Sequence, residues 1–349
     1  MEFVPVSIEE AEGAILGHNV VDGDGRRRLR KGKPLTVADL ELLRRLGRQK
    51  VYVARLEAGD VGENEAARRM AEAVAGAGLR ASRASTGRVN LYARDLGLLR
   101  LCPGRLEAWN RLDGVALATL RAHSVVAKGK MAATLKVIPY GLPEQTVARV
   151  EAGIAVDVEE GSATPGETLW LDPIPPRRVG LLLTGSPGAR ERLVSSFESA
   201  LGERLSALGS AIEEVGVVEV DSGDGEAALA EAIGRQLGAD MELLILAGDT
   251  AIQDRFDLTP RALERAGGEV ASFGAPVDPG NLLLIGYLGD VPVLGAPGCS
   301  RSRKTNIVDL VLPRLLAGDR LGREEVAVLG HGGLLEDVPE RPLPRSRLG

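Results

Sequence analysis

Phosphate-bearing ligands are held by backbone N–H groups, hydroxyls and cations, and this 349-residue chain gathers such groups in four loops. The first is Thr184-Gly185-Ser186-Pro187-Gly188 and the second Asp221-Ser222-Gly223-Asp224-Gly225. The third is Gly248-Asp249-Thr250-Ala251, running on to Asp254 and Asp257. The fourth is Gly295-Ala296-Pro297-Gly298-Cys299-Ser300-Arg301-Ser302-Arg303-Lys304. Glycine lets backbone donors approach a phosphate, hydroxyls add donors, and carboxylates can hold Mg²⁺ or an exchangeable ring N–H. In any single loop these are also the usual residues of a turn, so it is their recurrence that points to a site. In the fourth loop, three cations lead into a helix whose dipole disfavours positive charge, an arrangement that suits an anionic ligand better than it suits the helix. Cys299 has no histidine near it in sequence and reads as a small core thiol rather than a nucleophile. GSPGAR lacks the Gly-Lys-Ser/Thr of an NTPase phosphate loop, and no GxGxxG follows the preceding strand. NTP hydrolysis and dinucleotide binding are therefore not expected.

The elements around these loops predict an α/β fold built on a doubly wound, mostly parallel sheet. VGLLLT (179–184) is an apolar run of buried-strand length, followed by a long amphipathic segment, ARERLVSSFESALGERLSALG. IEEVGVVEV and ELLILAG supply two more strands, with EAALAEAIGRQLG as a helix between them. TPRALERAG reads as a short helix with Thr259 at its N-cap and Pro260 in its first position. NLLLIGYLGDVPVLGAPG gives two strands around Gly289 and Asp290, and RKTNIVDLVLPRLLAG the closing helix. Alternating strands and helices pair in parallel through right-handed crossovers, and ligands then bind beyond the carboxyl ends of the strands, where these loops lie.

A smaller mixed α/β and β-rich region precedes this domain. In residues 1–80, Ser7 and Thr36 read as N-caps, Leu40, Leu42, Leu43 and Leu46 as an apolar helix face, Gly47 as its stop, and ENEAARRMAEAVAGAGL as another helix. Residues 81–172 read as short strands separated by turns, among them VNLYA, GLLRL, SVVAKGKMAATLKVIPY and EAGIAVDVEE. Pro173, Pro175 and Pro176 stiffen a connector into a domain over 177–320, and residues 321–349, rich in Pro and Arg, read as a mobile tail.

Composition narrows the function classes. Hydrophobic residues make up 44% of the chain, enough for several cores, while aromatics at 3% leave those cores to aliphatic side chains. A net charge of −6 argues against a sequence-independent nucleic-acid binder, although local basic patches remain compatible with it. No apolar run approaches the ~20 residues of a membrane span. Two distant cysteines, acids at the start where a signal peptide carries cations, and no zinc-ligand spacing together lead us to expect a cytoplasmic protein.

The run LLILAGDTAIQDRFDLTPRALERAGGEV resembles the signature of the molybdopterin-binding domain of molybdenum-cofactor biosynthesis, in which a Gly-Gly-Thr-Gly loop follows a strand and leads to Arg-Asp-Val-Thr-Pro. GAPGCSRSRKTNIVDLVLPRLLAG is similar to the later substrate loop and helix of the molybdopterin molybdenumtransferase branch, where Thr184-Gly185 also has a counterpart in Thr-Gly-Asp/Asn. The resemblance spans 179–318 and extends more weakly to VPVSIEEAEGAILGHNV and KGKPLTVADLELLRRLGRQKVYVAR. Asp249 and Ala251 replace two loop glycines, Ser186 replaces an Asp or Asn, and of an Asp-Gly-Tyr-Ala stretch only Asp113-Gly114 is present.

The resemblance implies that molybdopterin is the ligand or substrate, with Thr184, Gly185, Ser186, Gly248, Asp249, Thr250, Pro297, Gly298, Ser300, Arg301, Ser302, Arg303 and Lys304 cradling it. It also implies Asp257 and Asp224 as the functional acids, with Asp257 and Asp249 positioning Mg²⁺ for molybdate insertion. The alternative is a non-catalytic carrier or sensor serving molybdoenzymes. A homo-oligomer, with a pterin phosphate and a molybdoenzyme as partners and with neither nucleic acid nor membrane, completes the expectation.

Overall fold

The computed structural model describes residues 1–153, 167–220 and 224–335, and the chain divides between Asp172 and Pro173 into two compact units. The first unit holds two apolar cores. In the first of these, strands Glu2–Ser7, Lys50–Arg55 and Ile15–Leu16 form an antiparallel sheet packed on helix Val37–Arg45. Thr36 caps that helix by accepting the Asp39 N–H, and Gly47 follows it at φ +70°, a conformation that glycine adopts without strain. The larger core lies between helix Glu63–Val74 and a four-stranded sheet ordered Val115–Thr119, Met131–Val137, Arg88–Ala93, Leu79–Ala81.

Residues 82–171 are not strands alone, because helices Pro103–Asn110 and Glu144–Glu151 interrupt them. Pro103 presets the first turn of one. The other buries Val147 and Val150, three apart on one face, which a reading in period two does not register. Of the expected strand EAGIAVDVEE, Glu151 ends that helix, and all but its first three residues lie outside the described part of the chain.

In the second unit the strands are β1 (Arg178–Gly185), β2 (Ala211–Glu219), β3 (Leu243–Gly248), β4 (Glu269–Phe273), β5 (Leu284–Leu288) and β6 (Val291–Gly295). The helices are α1 (Arg190–Ala207), α2 (Gly225–Gly238), α3 (Leu258–Arg265), α4 (Ile307–Leu316) and α5 (Arg323–Ala327). One sheet runs in the order β2-β1-β3-β6-β5-β4. The first four strands in that order are parallel, while β5 pairs antiparallel with both β6 and β4. Leu182, Leu244, Leu246 and Val293 pack on Leu229 and Ile233 of α2 and on Ala262 and Leu263 of α3. The sheet is thus doubly wound and mostly parallel, with β4 added to the strands read from the sequence. Within 321–349, read as a mobile tail, residues 323–327 form α5, which buries Val326, a short 3₁₀ turn follows over 328–330, and residues beyond 335 lie outside the described part.

Candidate functional site

The parallel register brings the ends of β1, β3 and β6 together. Thr184 pairs with Gly248, and Leu246 with Gly295. The Asp249 N–H donates to the Thr184 carbonyl at 2.9 Å, and the Ala296 N–H to the Leu246 carbonyl at 2.8 Å, so three of the four glycine-containing loops start side by side. Gly248 is there for space, since a Cβ would lie 2.4 Å from the Thr184 hydroxyl oxygen. Gly185 likewise makes room for Leu193 of α1.

The fourth loop forms a 3₁₀ turn over 298–301 and then extends to Asn306, which caps α4 by accepting the Val308 N–H. Arg301 turns back across the sheet edge. Its Nη2 donates to the carbonyl oxygens of Gly248 at 2.6 Å and Asp249 at 3.2 Å, and its guanidinium lies 4.7 Å from the centre of the Phe197 ring. Arg303 instead pairs with Glu203 of α1. Lys304 is exposed, and its ammonium meets no carboxylate among the described residues. Ser302 accepts the Lys304 N–H at 3.1 Å, whereas Ser300 is fully buried and donates to the Pro297 carbonyl at 2.6 Å. Ser300 and the buried Pro297 therefore shape the turn from inside, leaving Gly298, Ser302 and Lys304 on its open side. Burial pushes the Cys299 thiol above its ordinary pKa, which suits a packing role and disfavours a nucleophile.

The acids are engaged by the fold. Asp257, rather than Thr259, is the N-cap of α3: Oδ1 accepts the Leu258 N–H at 2.7 Å and Oδ2 the Gln253 N–H at 2.9 Å. Thr259 is buried in the first turn, and Pro260 occupies the third helical position, where a missing N–H costs no hydrogen bond. Asp224 caps α2 by accepting the Ala227 N–H and pairs with Arg265, and that N–H first, then the Arg265 charge, hold its carboxyl below the usual range. Asp224 thus meets Arg265 in the last turn of α3 while Asp257 opens that helix, and no hydrogen bond or shared partner joins the two expected catalytic acids among the described residues. Asp249 pairs with Arg192 at 2.9 Å. Among the described residues no three His, Cys, Asp or Glu side chains gather where they could hold a metal ion, and Asp221, Ser222 and Gly223 lie outside them.

The sequence reading has α1 as an amphipathic helix but gives it no part in the site, although it supplies much of the support for this edge. Arg192, Phe197, Glu203 and Arg204 engage Asp249, Arg301, Arg303 and Asp309 in turn, and Arg204 also donates to the carbonyls of Ser300 and Lys304. The available signal was Arg192 and Arg204 placed next to members of the buried stripe Leu193, Phe197, Ala200, Leu201 and Leu205.

Residues 180–317 match the family model described as a probable molybdopterin binding domain, so this stretch carries a domain of that family. Residues 5–55 match a second model, a domain of unknown function, DUF8806. No curated protein matches the chain. Among solved structures, a molybdenum cofactor biosynthesis protein from Pyrococcus furiosus is similar over 94% of this chain and 65% of its own, at 13% identity and a TM-score of 0.25. The present chain thus spans just under two thirds of that protein. A molybdopterin biosynthesis protein from Pyrococcus horikoshii is similar over 91% and 75%, at 14% identity and a TM-score of 0.31. The CinA protein from Thermoplasma acidophilum, of unknown function, is similar over 40% of this chain and 98% of its own, at 16% identity and a TM-score of 0.28.

Proposed function

We propose that the second unit binds the phosphate end of a molybdopterin at the edge formed by Thr184, Gly185, Ser186, residues 248–250 and residues 297–304, and that it does so in molybdenum-cofactor biosynthesis. One observation carries this reading. The half-buried Arg301 guanidinium has no carboxylate partner among the described residues, and its Nε is buried without a hydrogen bond. A desolvated charge balanced only by two carbonyls and a ring is costly, and a bound anion offsets that cost. Lys304 adds an exposed second cation, and the turn at Gly298 leaves backbone open to a ligand, as a Cβ there would meet nothing within 4 Å. The family match over 180–317 supports reading that anion as the phosphate of a molybdopterin.

A resident Mg²⁺ does not fit these residues. Asp257 is turned to backbone N–H groups and Asp249 to Arg192, and among the described residues no third carboxylate, imidazole or thiolate gathers with them into a hard-cation cage. That occupancy, with Asp224 taken up by the Ala227 N–H and Arg265, favours a module that holds and hands on the pterin over one that inserts molybdate. Titration of the purified protein with molybdopterin at fixed salt tests the reading. Saturable binding that weakens in the Lys304→Ala variant is expected, and an unsaturable wild-type protein overturns it.

A further inference from the structure

We propose that the N-terminal module, residues 2–55, binds single-stranded nucleic acid through a basic hairpin and an adjoining aromatic platform. The net charge of −6 averages over a segment of the opposite sign, because residues 26–50 hold ten Lys and Arg against only Asp39 and Glu41. Strands Val20–Val21 and Arg27–Leu29 form a hairpin anchored by Val20 and Leu29 in the core, leaving Arg26, Arg27, Arg28, Arg30 and Lys31 exposed. Lys33 meets Asp39 at 2.6 Å, Arg28 meets Asp22 at 3.6 Å, and Arg44 meets Glu9 at 3.6 Å. Arg26, Arg27, Arg30, Lys31, Arg45 and Arg48 meet no carboxylate among the described residues. Asp22 and Asp24 in the hairpin turn offset only part of this positive charge, and a chain of phosphates balances the rest.

Beside the hairpin lies the second half of the surface. Aromatics are scarce in this chain, yet Phe3 and Tyr52 are 43% and 48% exposed and sit with His18 in one cluster. The Phe3 and Tyr52 rings are 5.8 Å apart and 24° from parallel, with His18 5.6 Å and 5.4 Å from them. Gly17 makes this possible, because a Cβ there would lie 2.7 Å from the Phe3 ring and 2.9 Å from the Tyr52 carbonyl. Phe3 therefore rests against bare backbone. The platform joins the hairpin through the chain itself, since His18 is followed by Asn19, whose side chain accepts the Lys31 N–H at 3.0 Å, and then by Val20 of the hairpin.

The combination selects among polyanions. Bases in a duplex are already stacked on one another, whereas unpaired bases offer free faces to exposed rings while cations follow the backbone. A basic patch without rings would serve an acidic protein or a lipid surface equally well.

The test uses the full chain and fluorescently labelled RNA and DNA strands of one mixed sequence, about 20 nucleotides long to cover the site sizes of single-strand binders. A DNA duplex of the same sequence and phosphatidylserine-containing vesicles are the comparison arms. Binding to RNA or DNA single strands in preference to duplex is expected, with affinity falling at least about tenfold between roughly 50 and 200 mM salt. Arg27→Glu combined with Arg30→Glu should lower affinity about tenfold or more. Tyr52→Ala should lower it roughly fivefold and Tyr52→Trp should preserve it. Unchanged thermal unfolding shows that each variant folds. No single-strand binding, binding to vesicles alone, or duplex binding that ignores Tyr52→Ala overturns the proposal.

Discussion

Arg301 Nη2 lies 2.6 Å from the Gly248 carbonyl oxygen, so the loop after β6 holds the loop after β3 in place. The same nitrogen reaches the Asp249 carbonyl, and Phe197 supports the guanidinium from below. One side chain therefore fixes loop geometry and supplies positive charge. Lysine keeps the charge but replaces the planar guanidinium, whose face lies on the Phe197 ring while its edge reaches the carbonyls, with a compact ammonium that has no such face. Arg301→Lys should lower stability by about 1.5 kcal/mol, the low end for hydrogen bonds from a charged donor, and weaken molybdopterin binding about tenfold. Urea unfolding and ligand titration measure the two effects, and a lysine variant that binds as well as wild type removes Arg301 from the site.

The neighbouring cations should behave differently from each other. Arg303 and Glu203 form an exposed pair, which contributes little to stability and leaves Arg303 engaged with α1. Lys304 has no such partner among the described residues. Lys304→Ala should cost about 1.5–3 kcal/mol of pterin affinity with little change in stability, whereas Arg303→Ala should change affinity by under about 0.5 kcal/mol. Titrations of both variants at one salt concentration decide this, and the reverse ranking would place the ligand on the Glu203 side of the turn.

Most of the second unit was legible because strand length, helical period and loop chemistry agree there. The apolar run at 179–184 is β1, and the Gly289-Asp290 turn joins β5 to β6. What the sequence concealed was competition for polar groups. Ser300, Asp257 and Arg303 are the right residue types for a ligand, yet the backbone and α1 take up their hydrogen-bonding capacity. That allocation depends on which helix crosses the sheet edge, a long-range fact absent from any local motif. Residues 144–151 were missed for a local reason: Pro143 and Gly153 bracket a helix of only two turns, too short for its period to stand out.

Asp257 separates a structural role from a catalytic one. As the N-cap of α3 it should cost about 0.5–2 kcal/mol when replaced by Ala, while Ser, which also caps, should recover most of that loss. If the protein only holds the pterin, Asp257→Ser should bind it as the wild type does. If it inserts molybdate, the same stable variant should lose Mg²⁺-dependent incorporation. A Ser variant as unstable as the Ala variant would show that the second bond, to the Gln253 N–H, is what matters.

Asp224 gives a pH-dependent test of the other acid. Its carboxyl is held below the ordinary range first by the Ala227 N–H at the start of α2 and then by the charge and hydrogen bond of Arg265. A depressed pKa means that the charged form favours the folded state. That contribution is complete above the unfolded value of about 3.9 and disappears as pH falls through the lower folded value. Asn is as good an N-cap as Asp but cannot pair with Arg265. Asp224→Asn should therefore be slightly less stable than wild type at neutral pH. The difference should shrink to nothing in acid and should also shrink in high salt, since the pair is exposed. Denaturant unfolding followed from neutral pH into acid measures the gap. If the gap is constant with pH, the Arg265 pair contributes nothing. If molybdate incorporation is detectable in the wild type and lost in this folded variant, Asp224 acts as more than a cap.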